Sequence, residues 1–430
     1  MELRDYQVKA IADCRAAYLR GFRSVLLVVP TGAGKTVIGS QVVAGAVARG
    51  RRVLWLAGRR ELVDQAAARL PGHVGVIMAG RELDPAAPVQ VASIDTLVGR
   101  ELAPVDLVVY DEAHHAVAAT SRRVLEAHPG AWVLGLTATP ARGDGAALGD
   151  VFDAIVLGPS VRQLQALGHL VPCEVIAPAR TYRSLSEDPV RAWQRLGEGR
   201  PGFAFHATVD ASRAFVEQLH AEGVTAAHVD SETPATIRAA AVEAFRAREV
   251  ECLSSVHVFT EGVDVPAASV CLLARGCGNA ATYLQMVGRV LRPYPGKHIA
   301  RIIDLRGMVH QHGLPDDDRE WSLEGKQGQA RATDRQPIKQ CAECGYTWRA
   351  AGPGEACAYC GYREQVVEQG VEQRAMAQVT KVRREGPKYP HASEHHQRLS
   401  YQSLRELARQ RGYKPGWVRY RMRALYGGEW

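Results

Sequence analysis

An apolar run, Ser24–Val29, breaks into Pro30-Thr31-Gly32-Ala33-Gly34-Lys35-Thr36, and the chain then continues with helical spacing to Arg49. That order of strand, glycine loop and helix leaves few folds open. The strand is apolar at nearly every position, so both of its faces must be covered. A strand covered on both faces belongs in a parallel sheet between layers of helices. The style repeats. Arg52–Ala57, Val89–Ser93, Leu107–Tyr110 and Trp132–Thr137 read as strands, and Arg60–Leu70 and Ser121–His128 as helices. In a second series Gly202–His206, Ala226–Val229, Glu251–His257, Val270–Ala274 and Ile299–Asp304 read as strands, and Val209–Glu222, Thr236–Arg246 and Thr282–Val287 as helices. The expected core is α/β, two doubly wound parallel-sheet domains in tandem.

A chain of 430 residues, 46% hydrophobic and 23% charged, has the material for two such cores and rules out a mainly disordered or fibrous protein. It has no apolar run of the roughly 18 residues a membrane span needs, and Met1-Glu2-Leu3-Arg4-Asp5 lacks a signal core. A cytoplasmic location and no membrane partner are expected. Cys14, Cys173, Cys252, Cys271 and Cys277 lie mostly among apolar residues and read as buried free thiols. Charge is uneven. Residues 331–430 hold 18 Lys and Arg against 10 Asp and Glu, whereas the remainder holds 35 against 36. A neutral body with a basic tail suits a polyanion, and a solvated charged tail is the plainer alternative.

The glycine loop carries the first chemistry. Glycines let backbone N–H groups approach phosphates, and the following helix adds positive potential. Lys35 would reach the β- and γ-phosphates, and Thr36 would hold Mg²⁺. Val29 stands where the general pattern has a glycine. A second strand delivers Asp111-Glu112-Ala113-His114 at its C-terminal end, where open α/β sheets bind ligands. Asp111 suits Mg²⁺, and Glu112 suits the base that orients the attacking water.

Asp111-Glu112-Ala113-His114 resembles the box of DEAH-type superfamily 2 DNA helicases, of the XPB, UvsW and RadD-like group with phage relatives, and the resemblance covers roughly residues 1–310. It implies that both domains are RecA-like and that ATP binds between them. Leu3-Arg4-Asp5-Tyr6-Gln7 resembles the adenine-reading segment, with Arg4 and Gln7 toward the base. Thr31, Gly32, Ala33, Gly34, Lys35 and Thr36 would hold the phosphates. Residues 56–65, with Arg59, resemble motif Ia, and Ser93-Ile94-Asp95-Thr96-Leu97 a further strand-contacting motif. Thr137-Ala138-Thr139-Pro140 resembles motif III, whose Thr137 and Thr139 would couple hydrolysis to movement. Phe259-Thr260-Glu261-Gly262-Val263-Asp264 resembles motif V, with Gly262 and Asp264 toward ATP and Thr260 toward DNA. Gln285-Met286-Val287-Gly288-Arg289-Val290-Leu291-Arg292-Pro293 resembles motif VI. The catalytic set implied is Lys35, Asp111, Glu112, His114, Gln285, Arg289 and Arg292. Arg289 and Arg292 are three apart, hence on one helical face, and could reach the γ-phosphate only when the domains close. Thr-Ala-Thr in motif III and Gln-Met-Val-Gly-Arg in motif VI resemble DNA-acting members, and RNA is the alternative.

Cys341-x2-Cys344-x12-Cys357-x2-Cys360, with Gly345 and Gly361 after the knuckles, fits a structural four-cysteine zinc ribbon. A redox Cys-x-x-Cys would not call for two pairs. Tyr346, Trp348 and Tyr359 read as the ribbon's core or as a surface for stacking bases. Residues 398–430 carry eight Lys and Arg against two acids, with Arg419, Arg421 and Arg423 alternating with Tyr420 and Met422. That interleaving suits phosphate contact with stacking, or a small helical pair with an aromatic core.

The expected division is 1–158 and 159–310 as the RecA-like domains, 311–337 as a linker, 338–364 as the ribbon, 365–397 as a polar linker, and 398–430 as a basic DNA-binding module. The expected function is an ATP-dependent DNA helicase or translocase using ATP, Mg²⁺ and Zn²⁺, in repair, recombination or replication. An RNA helicase, an ATP-driven DNA sensor that does not unwind, and the motor of a restriction or defence assembly are the alternatives.

Overall fold

A computed structural model describes residues 2–58, 60–97, 100, 103–141, 147–256, 258, 265–324, 329–330, 337–350, 354–363, 394–411 and 416–426. The first sheet contains β1 (Ser24–Val28), β2 (Val53–Ala57), β3 (Val74–Ile77), β4 (Val89–Ser93), β5 (Leu107–Asp111), β6 (Trp132–Thr137) and β7 (Ala154–Leu157). Their order is 3-4-2-5-6-1-7 with all neighbours parallel. The second contains β8 (Cys173–Ile176), β9 (Gly202–His206), β10 (Ala226–Val229), β11 (Cys252–Ser255), β12 (Val270–Ala274) and β13 (Ala300–Asp304) in the order 10-11-9-12-13-8, again parallel. The two RecA-like domains expected from the sequence are these sheets with their helices.

Strands β1, β2 and β5 are buried at every position, which is why their sequences run largely apolar without alternation. Edge strand β3 alternates half-buried with buried positions and escapes a pattern search. The helix Asp5–Leu19 escapes it too, because its buried stripe of Tyr6, Ala10, Cys14 and Ala17 is built mostly from small side chains. The helix Lys35–Val47 lies close on its sheet at Gly39, where a Cβ would stand 2.6 Å from the Trp55 ring. Trp55 is fully buried, and its removal would cost about 3–5 kcal/mol.

Two segments differ from expectation. The span expected as a linker, 311–337, is packed over much of its described length. After the helix Met308–His312, Asp317 is buried, accepts a hydrogen bond from the Leu314 amide at 2.8 Å, and pairs with Arg349. The chain passes through β14 (Arg319–Glu320), which pairs with β15 (Gln329–Ala330). Trp321 and Leu323 then pack on the first domain's core beside Leu148 and Phe152, and the Leu323 carbonyl accepts from the Gly149 amide at 2.9 Å. This strap joins the second domain back to the first. Asp316-Asp317-Asp318 looks like a solvated turn in sequence, and the tertiary partner of Asp317 makes it otherwise.

The cysteine ribbon is also not separate from the motor. Its hairpin, β16 (Ile338–Gln340) and β17 (Tyr346–Arg349), continues the second sheet, with β17 antiparallel to β8. The Thr347 hydroxyl donates to the Val175 carbonyl at 2.8 Å, and the Ala177 amide donates to the Gly345 carbonyl at 3.0 Å. Tyr346 stacks with Trp348 and Tyr359, and Tyr359 lies 5.3 Å from the Arg301 guanidinium. Tyr346 and Trp348 are half-buried in this stack, and Tyr359 is exposed at its outer side.

The described residues 394–411 and 416–426 belong to a second compact unit. In it the helices Glu394–Arg411 and Trp417–Tyr426 pack around Val418, Met422 and Tyr426, with Leu404, Ala408, Trp417 and Leu425 against them. Among the described residues no helix is long and apolar enough to cross a membrane.

Arg349→Leu would leave the Asp317 carboxylate, whose side chain is 0% exposed, without its ion-pair partner. A buried charge stripped in this way costs about 3 kcal/mol or more. Urea unfolding should show the loss, and Arg349→Leu/Asp317→Asn should recover part of it.

Candidate functional site

The C-terminal ends of β1 and β5 open onto a cleft of about 930 Å³, a size suited to a small-molecule ligand. Arg4, Thr31, Gly32, Gly34, Lys35, Thr36, Asp111, Glu112, Arg289 and Arg292 line it, so residues from both domains meet there. Gly32 and Gly34 hold φ of 86° and 84°, left-handed values that glycine adopts at little cost. Gly34 is the N-cap of the helix Lys35–Val47, so the helix's free N–H groups and its positive end face the loop.

Two further approaches set the geometry. A Cβ at Gly32 would stand 3.0 Å from Arg292 Cγ, and one at Gly288 would stand 2.7 Å from Thr31 Cβ. The helix Ala280–Gly288 of the second domain therefore touches the glycine loop of the first, and it does so through a residue without a side chain. Arg289, 6% exposed, follows directly on that helix.

The two acids owe their placement to a tight backbone turn. Glu112 has φ 52°, left-handed for a non-glycine residue, which costs about 1–2 kcal/mol. Its amide donates to Asp111 Oδ1 at 3.0 Å. Lys35 Nζ lies 3.2 Å from Glu112 Oε1, with both side chains largely buried. His114 Nδ1 lies 3.3 Å from the Thr137 hydroxyl and 3.5 Å from Glu112 Oε2. The Thr137 hydroxyl donates to the Thr139 carbonyl at 3.0 Å and accepts from the Thr139 amide at 3.2 Å. One chain of contacts thus runs from Lys35 through Glu112 and His114 to Thr137 and Thr139, the pair expected to couple hydrolysis to movement.

The polar atoms left over fit a nucleotide and its metal. Glu112 Oε2 and Gln285 Nε2 are buried without a hydrogen-bond partner, which costs about 1–3 kcal/mol apiece unless a ligand or water supplies one. Thr36 and Asp111, oxygen donors on one cleft wall, fit the hard ligand set of Mg²⁺.

Some expected residues stand elsewhere. Gln7 is buried, accepts from the Arg4 amide at 3.0 Å and donates to the Ala33 carbonyl at 3.4 Å. Its expected contact with a base would require exchanging those bonds. Ser93 ends β4 and is buried, and Thr96 is half-buried in the short helix after it. Arg419 and Arg421 are exposed on the helix Trp417–Tyr426, with Arg421 5.8 Å from the Trp417 ring. Arg59, Thr260, Gly262 and Asp264 lie outside the described residues.

Sequence reading missed His169. Its ring centroid is 5.3 Å from that of Tyr6, and it lines the cleft beside Arg4. Burial first, then the charge of Arg4, holds its pKa below the usual histidine value. No spacing signal could have found it, since Tyr6 lies 163 residues earlier in the chain.

The four ribbon cysteines converge as expected. Their sulfurs all lie within 4.8 Å of one another, with Cys341–Cys360 at 3.5 Å and Cys344–Cys357 at 3.7 Å. Tetrahedral zinc with Zn–S bonds of about 2.3 Å requires sulfurs about 3.8 Å apart, so the set fits that ion. The knuckles repeat one hydrogen-bond pattern: Gly345 and Gly361 donate to the Cys341 and Cys357 carbonyls, and Cys341 and Cys357 donate to the Tyr346 and Tyr362 carbonyls. Cys344→Ser is expected to reduce bound zinc well below about one ion per chain, read by elemental analysis. The same change should speed protease cleavage within the ribbon.

The family model "Type III restriction enzyme, res subunit" matches residues 1–142, and "Helicase conserved C-terminal domain" matches residues 190–294. The "51.5 kDa protein" of Lactococcus phage (isolate 7-9) is 29% identical over 85% of this chain and 84% of its own length. The "DNA 3'-5' helicase XPB" of Mycobacterium tuberculosis is 28% identical over 68% of this chain and 58% of its own. Among solved structures, the "ATP-dependent Type ISP restriction-modification enzyme LlaBIII bound to DNA" superposes with TM-score 0.55 at 16% identity, over 71% of this chain and 28% of that one. Saccharomyces cerevisiae Dbp5 bound to RNA and ADP BeF3 does so with TM-score 0.53 at 18% identity, over 70% and 87%. With a family model matching each of its two RecA-like domains, the chain has the two-domain motor of superfamily 2 helicases.

Proposed function

We propose that this chain is an ATP-dependent DNA helicase or translocase of the DEAH type, acting in repair, recombination or replication. The observation that carries the reading is the meeting of Lys35, Asp111 and Glu112 from one domain with Arg289 and Arg292 from the other on one cleft. Lys35 gives up Glu112 to the β- and γ-phosphates when ATP enters. Thr36 and Asp111 would hold Mg²⁺, which would neutralise phosphate charge. Glu112, freed from Lys35, orients the attacking water. Arg289 and Arg292 place positive charge where it develops in the transition state. His114 passes the state of Glu112 to Thr137 and Thr139.

The choice of DNA over RNA is supported by the Thr-Ala-Thr motif, by a family model named for a restriction enzyme and by a relative named as a DNA helicase. Ser93, Thr96, Arg59 and Thr260 on the motor, with Arg419 and Arg421 on the C-terminal unit, are the proposed contacts. A second reading, the motor of a restriction or defence assembly, rests on the same restriction-enzyme model and would be supported by stable co-purification with a nuclease.

Steady-state ATP turnover at one salt concentration, with single-stranded, duplex or forked DNA or matched RNA, tests the substrate. Stimulation by DNA alone is the expected result, and stimulation by RNA alone would overturn the choice. Glu112→Gln is expected to bind a fluorescent ATP analogue yet lose at least about 100-fold in kcat. Gly288→Ala must push the second domain off Thr31, so it should lower turnover while circular dichroism stays unchanged.

A further inference from the structure

Lys297 follows the turn Tyr294-Pro295-Gly296, in which Gly296 has φ 77° and the Lys297 amide donates to the Tyr294 carbonyl at 2.9 Å. The turn folds the lysine back toward the segment that carries Arg292. Its ammonium donates to the carbonyls of Ala268 at 2.5 Å, Arg292 at 2.8 Å and Pro266 at 3.0 Å. Burial, and after it the charge of Arg292, pushes the ammonium down to about 7. A cation half-buried against an arginine is unfavourable by itself, and three converging carbonyl oxygens are what accommodate it.

Two of those three carbonyls belong to Arg292 and Pro266, which both line the nucleotide cleft, whereas Lys297 does not line it. Arg292 in turn packs over the glycine loop at Gly32. The ammonium therefore ties the backbone beneath Arg292 to a second stretch of the same cleft wall. We propose that Lys297 is a positioning residue for ATP hydrolysis, fixing the backbone from which Arg292 faces the nucleotide. The inference rests on the reading of the cleft as an ATPase site and adds a residue to it. A cation that stabilises a transferring phosphoryl group contributes most when it is held in place before charge develops. A compact three-donor ammonium matches three converging carbonyls, a match the planar fork of arginine cannot reproduce.

The test is a double-mutant cycle on the full chain: wild type, Lys297→Met, Arg292→Ala, and both together. Each is assayed for ATP turnover with the most stimulating nucleic acid, for affinity toward a fluorescent ATP analogue, and for fold by circular dichroism. Lys297→Met keeps the stem and removes the donors. It is expected to lower kcat about tenfold while nucleotide affinity stays within about threefold, and to cause no further fall once Arg292 is gone. Equal losses with and without Arg292 would overturn the proposal, because Lys297 would then act independently of it. An unchanged kcat in Lys297→Met would overturn it as well. If the methionine variant fails to fold, Lys297→Gln, which keeps two donors, enters the same cycle with the same outcomes. Absence of turnover in the wild type with every nucleic acid would remove the ATPase reading and the proposal with it, whereas turnover with additive losses removes the proposal alone.

Discussion

The close approach of the second domain to the glycine loop governs what this molecule can do. Gly288 lies against Thr31 with no room for a methyl group, and Arg289 and Arg292 follow it at once. Two sheets, each stable through its own buried strands, become one site only at this contact. A phosphate loop by itself binds nucleotide. Cations delivered from a second body make a reaction at that loop depend on whether the body is in place, and the proposed function would use this dependence to turn hydrolysis into movement.

The strap and the ribbon bear on the same contact. Trp321 and Leu323 lie on the first domain, Asp317 and Arg349 pin the strap to the ribbon hairpin, and the hairpin extends the second sheet along β8. The second domain is thus connected to the first by the strap as well as by the chain that enters β8. The ribbon, expected as a separate structural module, covers a sheet edge that would otherwise present unpaired N–H and C=O groups to solvent. Its Tyr359 also shields Arg301, whose guanidinium is buried between Glu174 and Glu198.

Much of this was legible in sequence where the determining forces are local. β4, β9 and β12 begin and end where the sequence places them, because strands buried at every position carry few polar side chains. Edge strands β3 and β7 were not legible, since one-sided burial weakens the pattern. The cysteine spacing announced a four-sulfur site because knuckle geometry is local, set by two glycines and four short hydrogen bonds. His169, the buried partner of Asp317 and the carbonyl cage of Lys297 carried no signal at all. Each pairs groups far apart in the chain, and one sequence does not record which distant residues meet.

By itself, then, the sequence determined two parallel α/β cores, a glycine loop at a helix N-terminus, an acid pair at a strand end and a pair of cysteine knuckles, because backbone sterics and burial act over short stretches. The tertiary structure decided that Gly288 would seat Arg289 and Arg292 over the loop, that Glu112 would pair with Lys35, that the span after Gly307 would be a strap, and that the ribbon would join a sheet. Those outcomes depend on packing between surfaces brought together from distant parts of the chain. Their energies come from complementary shape and from paired charges removed from water, which only the assembled fold specifies.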